Sequence, residues 1–283
     1  MKLLPDKRIV ITGASMGIGL AVARKCAEQG AALVLISRHE DDLKKAVQGL
    51  EKSKGGHIYQ ACDVSDIQQV KELAEKLKND FGHIHALVNC AGVYGPIGKI
   101  HEIDPLEFIN TININLIGSF NMCHYLVPLL KCSDKAKIIN YSGGGAAGPF
   151  PHYSAYAVSK TGIVRFTENI AMELADDGIE VNAVAPGFVA TRLHKETIKA
   201  GEKAGKQFLK KTKDQLEQGG VSPDVAANLT VFLLSEAGNG ITGKFLSAPW
   251  DPWQKNEFID RLKADKDLDT LRRIDDKYFC VKE

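Results

Sequence analysis

A chain of 283 residues with 44% hydrophobic and 25% charged residues is long enough to bury one sizeable core and has the balance of an ordinary globular protein. Its formal net charge of +1 excludes a general polyanion binder, so no nucleic-acid partner is expected, and no run reaches the roughly 18 uninterrupted apolar residues that a membrane span needs. Six cysteines without a Cys-x-x-Cys pair or a histidine grouping argue against metal and disulfides, and Met-Lys-Leu-Leu-Pro-Asp has no apolar leader, so a reduced, cytoplasmic protein is expected.

Residues 8–11 are a short β-branched run, followed by Thr12-Gly13-Ala14-Ser15-Met16-Gly17-Ile18-Gly19 and an amphipathic stretch that stops at Gly30. Strand, glycine loop and helix open a βαβ unit. Its glycines let the backbone approach a pyrophosphate, and the first free N–H groups of the helix meet the negative charge. The second strand, 33–36, ends at Ser37-Arg38. An acid there would hold the ribose hydroxyl of NAD, whereas an arginine accepts the 2′-phosphate of NADP, so Arg38 favours NADP over NAD. A snorkelling Arg38 beside Glu40, Asp41 and Asp42 is the alternative.

The alternation continues with a helix over 41–51, a strand over 57–61, Cys62-Asp63-Val64, and a helix over 67–79 that Ser65 and Gln68 would open as a capping box. A strand over 84–88 runs into Asn89-Cys90-Ala91-Gly92, small residues at a strand's carboxyl end, where open parallel sheets bind ligands. A long helical pattern spans 106–130 around Asn115, and a strand over 137–140 leads into Ser142-Gly143-Gly144-Gly145.

Tyr156 and Lys160 then stand four apart, on one face of a helix that runs to about 175. A fixed ammonium near a phenol favours the phenolate and would bring its pKa towards the working range, which makes a general acid/base; a plain surface pair is the alternative. A strand over 180–184 ends at Ala185-Pro186-Gly187, Ser222-Pro223 starts another helix, and 241–246 gives a seventh strand. The pattern predicts an α/β fold: a Rossmann-type, doubly wound, seven-stranded parallel sheet with helices on both faces, in one domain over 1–248, followed by an extension over 249–283.

Over residues 6–247 the sequence resembles the short-chain dehydrogenase/reductase family, through Thr12-Gly13-x-x-x-Gly17-Ile18-Gly19, Asp63, Asn89-x-Ala91-Gly92, Asn115, Tyr156-x-x-x-Lys160 and Pro186-Gly187 in that order. The resemblance implies an oxidoreductase that moves a hydride between a nicotinamide and a carbonyl or secondary alcohol. Tyr156 would exchange a proton with the substrate oxygen, Lys160 would hold the nicotinamide ribose, and Asn115 would complete a water-mediated proton route. Gly13, Ser15, Gly17, Ile18, Gly19, Asp63, Val64, Asn89, Ala91 and Gly92 would line the cofactor, while Pro186, Gly187, Val189 and Thr191 would bracket the nicotinamide. The family's substrate-binding serine ordinarily falls where Gly143 stands. Ser142 is then the candidate donor if the glycine loop is shifted; otherwise the donor is missing. Cys90 reads as packing.

Residues 192–220 correspond to a mobile lid in such enzymes, and here Lys195, Lys199, Lys203, Lys206, Lys210, Lys211 and Lys213 outnumber the acids. The lid either attracts an anionic substrate or presents a solvated face. Ala248-Pro249-Trp250-Asp251-Pro252-Trp253 reads as an interface or pocket wall. Helices over 106–130 and 155–175 carry more apolar positions than one sheet face covers, and relatives pair through them, so a homotetramer or homodimer is expected. Two other readings are a non-catalytic nucleotide-sensing or scaffold protein, suggested by the glycine at 143, and a nucleotide-sugar epimerase or dehydratase.

Overall fold

The computed structural model describes residues 2–273; Cys280 and the last part of the charged tail lie outside them. Seven strands lie in the order β3-β2-β1-β4-β5-β6-β7, with every neighbouring pair parallel. They are β1 (Arg8–Thr12), β2 (Ala32–Ser37), β3 (Ile58–Ala61), β4 (Ala86–Asn89), β5 (Lys137–Tyr141), β6 (Glu180–Ala185) and β7 (Phe245–Ser247). The expected Rossmann-type sheet is therefore the fold.

Period-two side-chain alternation builds the two layers. Ile9, Ile11, Leu33 and Leu35 face the layer made by α1 (Gly17–Glu28), α2 (Glu40–Gln48) and α9 (Pro223–Leu234). Val10, Val34 and Ile36 face α3 (Ile67–Phe81), α5 (Gly118–Leu130) and α6 (Ser154–Glu173). Both faces are covered, so these strands read as continuous apolar runs rather than as half-polar ones. The strand order reverses direction between β1 and β4, and the carboxyl ends of those two strands frame the crevice in which such sheets bind ligands.

Three local expectations are adjusted. The cap of α3 is Asp66, whose carboxylate accepts from the backbone N–H groups of Gln68 and Gln69, whereas the Ser65 hydroxyl donates to Asp63 at 2.7 Å. A carboxylate one residue nearer the helix takes the capping role. The pattern over 106–130 divides into α4 (Pro105–Ile112), a π-helical turn (Asn113–Ile117) and α5. The seventh strand is shorter than expected because Gly243, at φ +72°, turns the chain before it.

Residues 192–217 form α7 (Arg192–Ala200) and α8 (Lys206–Glu217) above the carboxyl edge of the sheet. Residues 249–273 pack back onto the domain: Trp253 is buried in the core with its indole N–H donating to the Ala248 carbonyl at 3.0 Å, and α10 (Asn256–Ala264) buries Leu262. None of the described helices is long and apolar enough to cross a membrane.

Candidate active site

The loop after β1 turns on Gly13 and Gly17, both in the left-handed region at φ +64° and +56°. A Cβ on Gly13 would lie 2.9 Å from the Ala91 Cα, and one on Gly19 would collide with the Gly13 carbonyl, so the turn closes onto the β4 loop and onto itself only with hydrogen at these positions. The Thr12 hydroxyl fixes the same junction, accepting from the backbone N–H of Cys90 at 3.0 Å and of Ala91 at 3.1 Å. Met16 caps α1 without a side-chain bond, so the first N–H groups of this 12-residue helix are left for an outside acceptor.

They open on a cleft of about 410 Å³ lined by the loop, by Arg38 at the end of β2, and by Asp63, Val64, Ala91 and Gly92. A glycine cradle, an uncapped helix N-terminus and an arginine at the end of β2, gathered around one cleft, fit a nicotinamide dinucleotide. Ser15, Gly17, Ile18, Gly19, Val189 and Thr191 complete the wall. Asp63 keeps one carboxylate oxygen on the backbone N–H and hydroxyl of Ser65. Asn89 is absent from the wall: its carboxamide donates to the Asn140 Oδ1 at 2.9 Å beneath the sheet edge. Side chains alternate along a strand, so Asn89 faces the α5 side while its neighbour Cys90 reaches the cleft.

Ile18, Cys90, Gly92, Val189 and Thr191 also border a second cavity of about 370 Å³, which holds Tyr156, Lys160, Ser142, Pro186 and Gly187. Tyr156 is 8% exposed and its hydroxyl has no hydrogen-bond partner among the described residues. The Lys160 ammonium lies 5.8 Å from the centre of the Tyr156 ring and donates to the Tyr141 carbonyl at 2.8 Å. Burial dominates both groups: it holds the Tyr156 pKa above the usual phenol value and brings Lys160 down to about 8. The lowering expected for the phenol is thus not seen in the protein alone: burial, with a smaller push from Cys90, sets the direction.

Asn115 sits fully buried in the π-helical turn. Its carboxamide accepts from the Val93 N–H and donates to the Val93 carbonyl, each at 2.9 Å, and also donates to the Ser159 hydroxyl at 2.9 Å. Ser159 in turn donates to the Tyr156 carbonyl at 2.7 Å. The turn therefore ties the β4 loop to the helix that carries the tyrosine. Ser142 lines the cavity, but its hydroxyl donates to the Lys160 carbonyl at 3.0 Å. Position 143 is the one beside the tyrosine: a Cβ there would collide with the Tyr156 hydroxyl. Gly143 is extended, at φ −176°, so space and not backbone conformation demands the glycine.

The family model described as enoyl-(acyl carrier protein) reductase matches residues 13–248. The chain belongs to the short-chain dehydrogenase/reductase family. It is 32% identical to a 3-oxoacyl-[acyl-carrier-protein] reductase of Thermotoga maritima over 86% of this chain and 96% of the relative. It is 31% identical to a D-beta-hydroxybutyrate dehydrogenase of Cupriavidus necator, over 85% and 95% of the two chains. The solved structure of an NAD+-bound xylitol dehydrogenase superposes with a TM-score of 0.80 at 25% identity, covering 86% of this chain and 98% of that one. The protein is accordingly an oxidoreductase of this family, acting between alcohols and carbonyls with a nicotinamide dinucleotide.

Several wall residues of this dehydrogenase/reductase carry no motif. Tyr94, Phe150, Phe188 and Phe208 surround the space in front of Tyr156, and Trp250, 73% exposed, stands at its mouth. His194 lies among them, 7% exposed, with Lys211 and Gln215 of α8 further out. These residues come from five separate segments, and two of them offer a signal: Phe208, Lys211 and Gln215 recur at helical spacing within the basic stretch, and Trp250 belongs to the segment read as an interface or pocket wall.

Proposed function

We propose that the protein is an NADP-preferring dehydrogenase/reductase in which Tyr156 is the general acid/base. The observation that carries this reading is the Tyr156 hydroxyl, which has no partner among the described residues and belongs to a mostly buried side chain lining the second cavity. The wall of that cavity shares Ile18, Cys90, Gly92, Val189 and Thr191 with the dinucleotide cleft. When bound, the cofactor supplies or accepts the hydride. The chain's own part is to orient the substrate and move one proton. A phenol whose pKa burial holds high keeps its proton at neutral pH and is ready to donate it to the oxygen of a carbonyl being reduced. Lys160, tied to the Tyr141 carbonyl, sets the positive end of the site, and Asn115 with Ser159 holds the helix in register. In this reading Asn115 also hands protons on through water, and Ser142 donates to the substrate oxygen in place of the Lys160 carbonyl that it holds in the protein alone.

Arg38 supports the choice of NADP. It is exposed on the cleft rim and forms no ion pair among the described residues, while Glu40 and Asp41 are engaged by Lys44 at 2.9 and 3.8 Å. The guanidinium is thereby left for a phosphate. Five described cysteines are free thiols, which suits a reducing cytoplasm. Replacing Tyr156 with Phe tests the reading: turnover of a carbonyl panel should fall by at least about 100-fold, the usual scale of a lost general acid, with NADPH affinity nearly unchanged by calorimetry. A variant retaining more than a tenth of wild-type kcat/KM would sink it.

A further inference from the structure

His194 is a polar group that the proposed chemistry leaves unused. Its ring stacks on Phe188 with centroids 3.7 Å apart and planes 22° from parallel. Its Nδ1 lies 3.3 Å from the Tyr94 hydroxyl, the one hydrogen-bond partner of that hydroxyl among the described residues. Burial raises the Tyr94 pKa, so the phenol keeps its proton, and burial lowers His194 to about 4, so the imidazole is neutral. A phenol that donates to Nδ1 leaves the single ring proton on Nε2. That Nε2 has no partner among the described residues, on a side chain that lines the second cavity.

The walls around it select a shape. Tyr94, Phe150, Phe188 and Phe208 give this space flat apolar faces, which a ring covers well and a linear polyol would leave half-solvated. Position 143 adds no side chain that could hold the reacting oxygen, so a second anchor away from that oxygen matters more. We propose that this cavity takes a flat, cyclic ketone or alcohol carrying a second oxygen, and that the Nε2–H of His194 donates a hydrogen bond to that oxygen while Tyr156 serves the first. The inference rests on the oxidoreductase reading of the same site. His194 then sets specificity and takes no part in the proton transfer.

The probes are tetralones bearing one methoxy or hydroxyl group at successive ring positions, compared with the parent tetralone. The wild-type enzyme should prefer at least one oxygen-bearing ketone by about 10-fold in kcat/KM, the value of one good buried hydrogen bond. His194→Phe keeps a ring on Phe188 and should bring that ratio close to one; His194→Gln keeps an N–H donor and should retain part of it. A ratio that stays unchanged in His194→Phe, or no preference at any position in the wild type, overturns the inference. NMR titration of the same ketones into the NADP+-loaded protein, which cannot reduce them, reads the anchor apart from turnover, and an NADPH assay reads reduction beside it. Selective binding without reduction upholds the anchor and removes the catalytic reading, and failure of every tetralone to bind overturns the ring-substrate inference itself.

Discussion

At the scale of single residues, the opposed pKa shifts of Tyr156 and Lys160 lead to a measurable trade between stability and activity. Lys160 is drawn by burial from 10.5 to about 8. Between those values the unfolded chain carries the proton and the native one does not, so this group's contribution to stability is present in full above about 10.5 and is lost as pH falls through about 8. Lys160→Met removes a desolvated charge, offset by the lost bond to the Tyr141 carbonyl. It should stabilise the protein at pH 7 by roughly 2 kcal/mol while abolishing turnover. Urea melts of both proteins at pH 7 and pH 10 check the sign, since the advantage of the variant should shrink at the higher pH. Arg38→Ala should weaken NADPH by about 10- to 100-fold, the worth of one charge-assisted phosphate contact, and leave NADH nearly unchanged. Calorimetry with both cofactors decides it, and equal wild-type affinities would remove the NADP preference.

At the scale of elements, the α3 cap and the loop after β5 are the places where local chemistry is most exposed to test. Asp66→Ala should cost about 1 kcal/mol, the usual worth of an N-cap, whereas Ser65→Ala should cost less because Ser65 does not cap the helix. Thermal melts of the two variants order them. Gly143→Ala should displace the Tyr156 hydroxyl and lower kcat far more than it lowers Tm, since its extended backbone accepts any residue. These same elements show what the sequence carried. Strands buried on both faces, the glycine turn and the Tyr156–Lys160 spacing are written in local pattern, so the sheet and the candidate site at its carboxyl edge were legible. The direction of Asn89, the donor bond of Ser142 and the π-helical turn at Asn115 depend on what lies opposite them in space, which no local period encodes. Nor does spacing reveal that burial governs the Tyr156 phenol.

For the whole molecule, the uncovered apolar side chains are concentrated on one pair of helical segments. Leu106, Ile109, Ile117 and Phe120 on α4, the π-helical turn and α5, and Val158 and Met172 on α6, are each at least 38% exposed. We propose that this face pairs with its copy in a homodimer or homotetramer. Phe120→Lys should then shift the mass read by light scattering towards the monomer, and a wild-type monomer near 31 kDa with full activity would refute the pairing.

The packed segment after β7 has a consequence for association of another kind. β7 is an outer strand of the sheet, and two of its N–H groups find partners other than a strand: Phe245 donates to the Asp269 carbonyl at 2.7 Å and Ser247 to the Asp251 carboxylate at 2.5 Å. Lys244 helps hold this cover through the carbonyls of Asp265 and Leu268. An open strand edge is a template on which another chain can add. A chain ended after residue 248 would keep every residue of the dinucleotide cleft yet bare this edge and the socket of Trp253. Its failure would show as sheet-rich aggregation on storage, before any loss of cofactor affinity in the fraction that stays in solution.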